Sequence, residues 1–151
     1  MVFDTNVIID GFSDDFSAQA RLIEAASNGE ITALITPPIE REYNLILGRL
    51  INDDRYRHRI NDFLETTEQV EPVHVDTHID DAEDYKFLQA AVGGKADLLV
   101  THDQHLLVVG TIEKTRVLRP QEAWAVFEEE SGTGDGAGSW ADFARGLGIG
   151  G

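Results

Sequence analysis

The chain has no cysteine. Disulfides and thiolate metal sites are therefore excluded, any metal must be held by oxygen or imidazole, and the composition suits a cytoplasmic protein. Long apolar runs are missing too, so no stretch reads as a membrane span. The N-terminus lacks the basic-then-apolar pattern of a signal peptide. Positive charge is scarce: 12 Lys and Arg stand against 28 Asp and Glu, for a net charge of −16. A field of that sign repels nucleic acid at long range, which argues against a binder held by electrostatics alone. It argues less against an enzyme whose metal ions neutralise its carboxylates and then attract phosphate. For most of the 28 acids the reading is a solvated surface.

The 151 residues, 42% of them hydrophobic, suit one domain with a real core and a small appendage. Val2 and Phe3 in "MVFDTNVIIDG" read as strand residues, and Val7, Ile8 and Ile9 extend a buried element. Asp4 sits between them. A buried charge is costly unless it is paired or coordinated, so Asp4 needs a partner.

Further along, Ala18 to Ala26 reads as a helix closed by Gly29. "ITALIT" is a strand, and Pro37-Pro38 open a helix with Ile39, Tyr43, Ile46 and Leu50 at helical spacing. "DRYRHRINDFLETTEQV" is amphipathic, and "VEPVHV" reads as a short edge strand because of Pro72. "DDAEDYKFLQAAVGG" is a helix with acids at its start, followed by the apolar strand "ADLLVTHD", a last strand "TRVLRP" and a last helix "PQEAWAVFEEE". Strands alternating with helices predict an α/β fold with a mainly parallel central sheet. The composition changes near residue 130, giving a domain over 1–130. A Gly-rich linker and apolar tail fill 131–151, where Trp140, Phe143 and Leu147 are spaced as one face of a short helix.

In an open parallel sheet, chemistry collects at the carboxyl ends of the strands. Asp4 and Asp103 fall at or just past such ends, and Glu42 and Asp84 lie near helix starts that could pack beside them. Each has a plainer reading: Asp4 as a turn cap with Asn6, Asp103 as a turn residue, Glu42 as surface, Asp84 as part of a helix start capped by Asp80 or Asp81. As a set, four converging carboxylates repel one another, and a divalent cation removes that repulsion. Hard oxygen ligands suit Mg²⁺ or Mn²⁺, one ion or two.

With these stretches in hand, the sequence resembles the PIN-domain family, in the branch of toxins of toxin–antitoxin systems (VapC-like ribonucleases), over Met1 to Phe127. "VFDTNVII", "ITPPIEREYNLIL" and "DDAEDYKFLQAAVGGKADLLVTHDQHLL" are similar to its motifs. The resemblance implies a three-layer α/β/α sandwich. It places the acidic quartet on Asp4, Glu42, Asp84 and Asp103, and auxiliary polar roles on Asn6 and Thr101. Asp97 would be an outer ligand, and Glu40 competes with Glu42 for the second acid. His102, where the family more often has glycine, and Pro38 depart from the pattern.

Two functions are compatible with this pattern. The first is a metal-dependent endoribonuclease in which a metal-activated water attacks the phosphodiester. Asp4, Asp84 and Asp103 are then direct ligands, and Glu42 is either a ligand or the group that orients the water. The implied partners are RNA, a cognate antitoxin and a second copy in a homodimer. The other is a PIN-like module that binds RNA or protein without catalysis. "RYRHR" is the chain's basic cluster; its default reading is a solvated helix face, and its functional one makes Arg55, Arg57 and Arg59 contacts to RNA. His102 and His105 flank the fourth acid, as spacers or as contacts to phosphate.

Overall fold

The computed structural model describes residues 1–49, 53–79 and 81–132. Within them six short strands run β1 (Val2–Phe3), β2 (Leu34–Ile35), β3 (Glu68–Gln69), β4 (Leu98–Val100), β5 (Thr111–Ile112) and β6 (Thr115–Leu118). The α-helices are α1 (Thr5–Ser13), α2 (Ala18–Ser27), α3 (Pro37–Leu47), α4 (Asp54–Glu65), α5 (Tyr85–Gly93), α6 (Gln104–Leu107) and α7 (Pro120–Ser131). A single 3₁₀ turn, Ala82–Asp84, leads into α5. The tail residues Trp140, Phe143 and Leu147 lie outside the described residues, as do Leu50 and Asp80.

The four-stranded sheet has the order β1-β4-β6-β5, with β1, β4 and β6 parallel and β5 antiparallel to β6. The strands β2 and β3 form a parallel pair, and Leu34 N–H donates to the Met1 carbonyl at 2.9 Å, joining that pair to β1. Every residue of β1, β2 and β4 is buried. Unbroken apolar burial of this kind marks strands covered on both faces, and the helices make the two outer layers of a three-layer α/β/α fold.

Strand register sets the position of two candidate residues. Val2 pairs with Leu99 and Phe3 with Val100. The next residues, Asp4 and Thr101, therefore leave two adjacent strands at the same level. Asp4 N–H completes the ladder by donating to Val100 C=O at 3.0 Å.

The structure departs from the sequence reading at four places. Val7 and Ile8 are buried, but in a helix: the chain turns helical at Thr5, and Val7, Ile8, Gly11 and Phe12 lie on the buried face of α1. That spacing is helical, and it outweighs the strand preference of the β-branched run. In α3 the third buried position is Leu47, one full turn beyond Tyr43, while Ile46 is half-buried. The edge strand falls on Glu68–Gln69 rather than "VEPVHV". Beyond it, Pro72 has no N–H to give, and Val75 is held instead by the Tyr85 hydroxyl, which accepts from Val75 N–H at 2.7 Å and donates to its carbonyl at 2.5 Å. Finally, "QHLL" is a short helix, α6, and Thr111–Ile112 adds an edge strand unseen in the sequence.

Candidate active site

Two acids owe their position to the same local device. Asp4 follows β1 and caps α1, with Oδ1 accepting from Asn6 N–H at 3.2 Å. Asp103 follows β4 and caps α6, with Oδ1 accepting from His105 N–H at 2.8 Å. An aspartate at an N-cap satisfies a free helix donor and sits near the positive end of the helix. Thr101 links the pair. Its buried hydroxyl donates to Asp4 Oδ2 at 2.7 Å and accepts from Asp103 N–H at 2.9 Å.

The other two acids arrive from helices. Tyr43 is fully buried in α3 and donates its hydroxyl to the Phe3 carbonyl, fixing that helix against the end of β1. Its neighbour Glu42 is thereby aimed at the cleft, where Oε2 accepts from the Thr5 hydroxyl and Oε1 lies 2.9 Å from Lys86 Nζ. Asp84 closes the 3₁₀ turn, whose start Asp81 caps by accepting from Glu83 N–H at 2.9 Å. Asp84 itself is only 7% exposed, and its Oδ2 has no hydrogen-bond partner among the described residues.

Asp4, Glu42, Asp81, Glu83, Asp84 and Asp103 thus line one cleft of about 250 Å³, with Ile9 and Ile46 on its apolar wall. Lys86 is the one cation among the described residues that line it. Potential ligand atoms of Asp84, Asp103 and His105 lie within 4.8 Å of one another. Burial, followed by the contact with the Asp103 carboxylate, raises the Asp84 pKa to about 7. Burial also raises Asp4, opposed by the Thr101 and Asn6 hydrogen bonds and reinforced by Asp103 and Glu42. Desolvation draws Lys86 down, but Glu42 and Glu83 more than reverse it, so the ammonium is held charged. Such a site has more negative charge than its hydrogen bonds compensate, which is the chemistry of a hard-cation site.

A family model described as PIN domain matches residues 1–105. The chain belongs to the PIN-domain family. No curated protein and no solved structure matches it. The PIN fold is of nuclease type, and PIN-domain nucleases typically use divalent metals.

Within this PIN domain the remaining sequence candidates fall into place unevenly. Asn6 gives its backbone N–H to Asp4. Glu40 accepts from the Gln69 side chain and does not line the acidic cleft, whereas Glu42 does. Asp97 is not brought to the cluster: it precedes β4, at the opposite end of that strand, exposed and 3.2 Å from Lys114 Nζ. His102 faces α1 and α2, 3.6 Å from Asp10 Oδ2 and 3.3 Å from Gln19 Nε2. Arg55, Arg57 and Arg59 lie on α4, ion-paired to Asp53, Asp54 and Asp15, and Arg59 lines a separate cleft with Phe12 and Asp62. Sequence reasoning missed Thr5 and Lys86. Only the packing of α1, α3 and α5 brings them to Glu42, and no local pattern announces it.

Proposed function

We propose that this PIN domain is a metal-dependent endoribonuclease that hydrolyses RNA phosphodiester bonds, acting as the toxin of a toxin–antitoxin pair. One observation carries the reading: Asp84 Oδ2, buried and without a hydrogen-bond partner among the described residues, in a cleft that Asp4 and Asp103 also line. A carboxylate kept so close to others either holds a proton or meets a cation. The donor set is oxygen on short acidic side chains, which fits Mg²⁺ or Mn²⁺. Asp4, Asp84 and Asp103 would hold the ion. When bound, it supplies positive charge toward the phosphate and makes water more acidic.

The chain's own residues do the rest. Thr101 keeps the Asp4 carboxylate and the Asp103 backbone in fixed relation. Glu42, steadied by Thr5 and Lys86, accepts a hydrogen bond from the attacking water and orients it. Ile9 and Ile46 give the cleft one apolar wall. We assign phosphate contacts at a distance from the cleft to Arg55, Arg57 and Arg59. The protein partners we assign are a cognate antitoxin and a second copy of this chain.

The test is incubation of the purified protein with structured and unstructured RNAs, in Mg²⁺, in Mn²⁺ and in chelator. Cleavage with metal, lost in chelator and in Asp84→Asn, is the expected result. RNA binding without cleavage under every condition makes the domain a silent binding module. Growth arrest on expression, absent in Asp84→Asn, tests the toxin assignment separately.

A further inference from the structure

Of the six acids that line the cleft, Asp4, Glu42, Asp84 and Asp103 are not equivalent in what compensates them. The Asp4 carboxylate is met by the Asn6 N–H and the Thr101 hydroxyl, and that of Asp103 by the His105 N–H, with the His105 Nδ1 3.5 Å away. Asp84 Oδ2 has no hydrogen-bond partner among the described residues, and the Asp103 carboxylate beside Asp84 adds like charge. Glu42 is different. One of its oxygens accepts from Thr5, and the other faces an ammonium at 2.9 Å.

That ammonium is itself confined. The Lys86 side chain is only 14% exposed, and its Nζ also lies 3.1 Å from Glu83 Oε2 and 2.9 Å from the Glu83 carbonyl. It stands two residues after Asp84, so α5 delivers the unpartnered acid and the cation into the same cleft. A charge pair this well hydrogen-bonded and this sheltered is screened far less than a surface pair. A second divalent ion on the Glu42 side would need the carboxylate that Lys86 occupies, and would meet like charge there.

Building on the metal-dependent reading, we propose that Lys86 is a positioning residue that holds Glu42 out of the ligand set and takes the place of a second divalent ion. The cluster then binds one cation, on Asp4, Asp84 and Asp103. Lys86 keeps Glu42 oriented beside that cation without letting it ligate.

Mn²⁺ alone is the probe, titrated into the full chain by calorimetry and counted in parallel by electron paramagnetic resonance of the free ion. One ion per chain is expected for the unaltered protein and for Lys86→Arg. Lys86→Met frees Glu42 and takes up a second ion, which the double variant Lys86→Met with Glu42→Gln loses again. Two ions in the unaltered protein, or one in Lys86→Met, overturn the proposal and leave the metal-dependent reading standing. No ion in the unaltered protein overturns that reading instead. Should Lys86→Met not fold, Glu42→Gln alone decides: it keeps its ion with little loss of affinity. A loss as large as that from Asp103→Asn makes Glu42 a ligand and ends the proposal.

Discussion

Asp84 keeps its proton to about pH 7, through burial and then the neighbouring Asp103 carboxylate. In the unfolded chain the same group titrates near 4. The native state therefore binds the proton more tightly. From about pH 4 to about pH 7 the metal-free protein loses stability as pH rises, by an amount on the order of a few kcal/mol. Asp4, also raised, acts in the same direction. In chelator, the melting temperature should be higher at pH 5 than at pH 8, and Asp84→Asn should flatten that difference. With Mn²⁺ present the order changes, because metal displaces protons and gains affinity as pH rises. A second residue-scale prediction concerns Thr101, whose single hydroxyl serves two partners. Thr101→Val should cost about 1–3 kcal/mol in urea unfolding, since the buried Asp4 carboxylate and the half-buried Asp103 N–H both lose their bond, while Thr101→Ser should recover most of it. The acids themselves were legible in the sequence, because a carboxylate inside "VFDTNVII" or after "LLVT" is a local anomaly. Their compensation was not. Lys86 and Glu42 are joined by long side chains from α5 and α3, and such pairings are decided by packing.

At the scale of elements, α1 shows where local reading gives way. "DTNVIID" begins with an aspartate that can cap a helix and continues with residues that favour strands. Burial of Val7, Ile8 and Phe12 on one side decided for the helix. The strand "ADLLV" and the helix after Pro37 were legible because apolar run, proline and glycine agree there. The segment between β3 and the 3₁₀ turn was not, since its place is set by Tyr85 and by the end of α5. Gly93 marks that contact: a Cβ there would lie 1.9 Å from the Glu71 carbonyl oxygen. Backbone cannot yield as a side-chain tip can, so Gly93→Ala should destabilise by about 2–4 kcal/mol, read from the urea midpoint. At Gly11 the closest obstacle is the Ile23 Cδ1 at 2.3 Å, between α1 and α2. There Gly11→Ala should recover in part when combined with Ile23→Val, because the clashing atom is the tip of a side chain.

For the molecule as a whole, charge is the governing quantity. On the proposed function, a chain of net charge −16 must bring RNA to its own acidic cleft. The arginines of α4 are held by Asp53, Asp54 and Asp15, so their contribution in the free state is local. On the proposed function they exchange these partners for phosphates. Reversing Arg55, Arg57 and Arg59 to Glu should then weaken RNA affinity and flatten its dependence on salt, losing about one unit of log–log slope per phosphate contact removed. An unchanged slope in a filter-binding series would make α4 a solvated face only. No helix among the described residues is long and apolar enough to cross a membrane.

The double duty of Asp4 and Asp103 bears on how the sequences of other PIN domains can be compared with this one. Each is at once an acid of the cleft and the cap of a helix. Asn and Ser cap nearly as well as Asp, and Ala does not. A lineage that has given up the chemistry can therefore drift to Asn or Ser at these two positions and still fold. Asp84 caps nothing with its side chain. Once the chemistry lapses, nothing in the folding of α5 defends its carboxylate, and burial favours an apolar replacement. Loss of activity should accordingly be written first at position 84, in apolar letters, and later at positions 4 and 103, in polar ones.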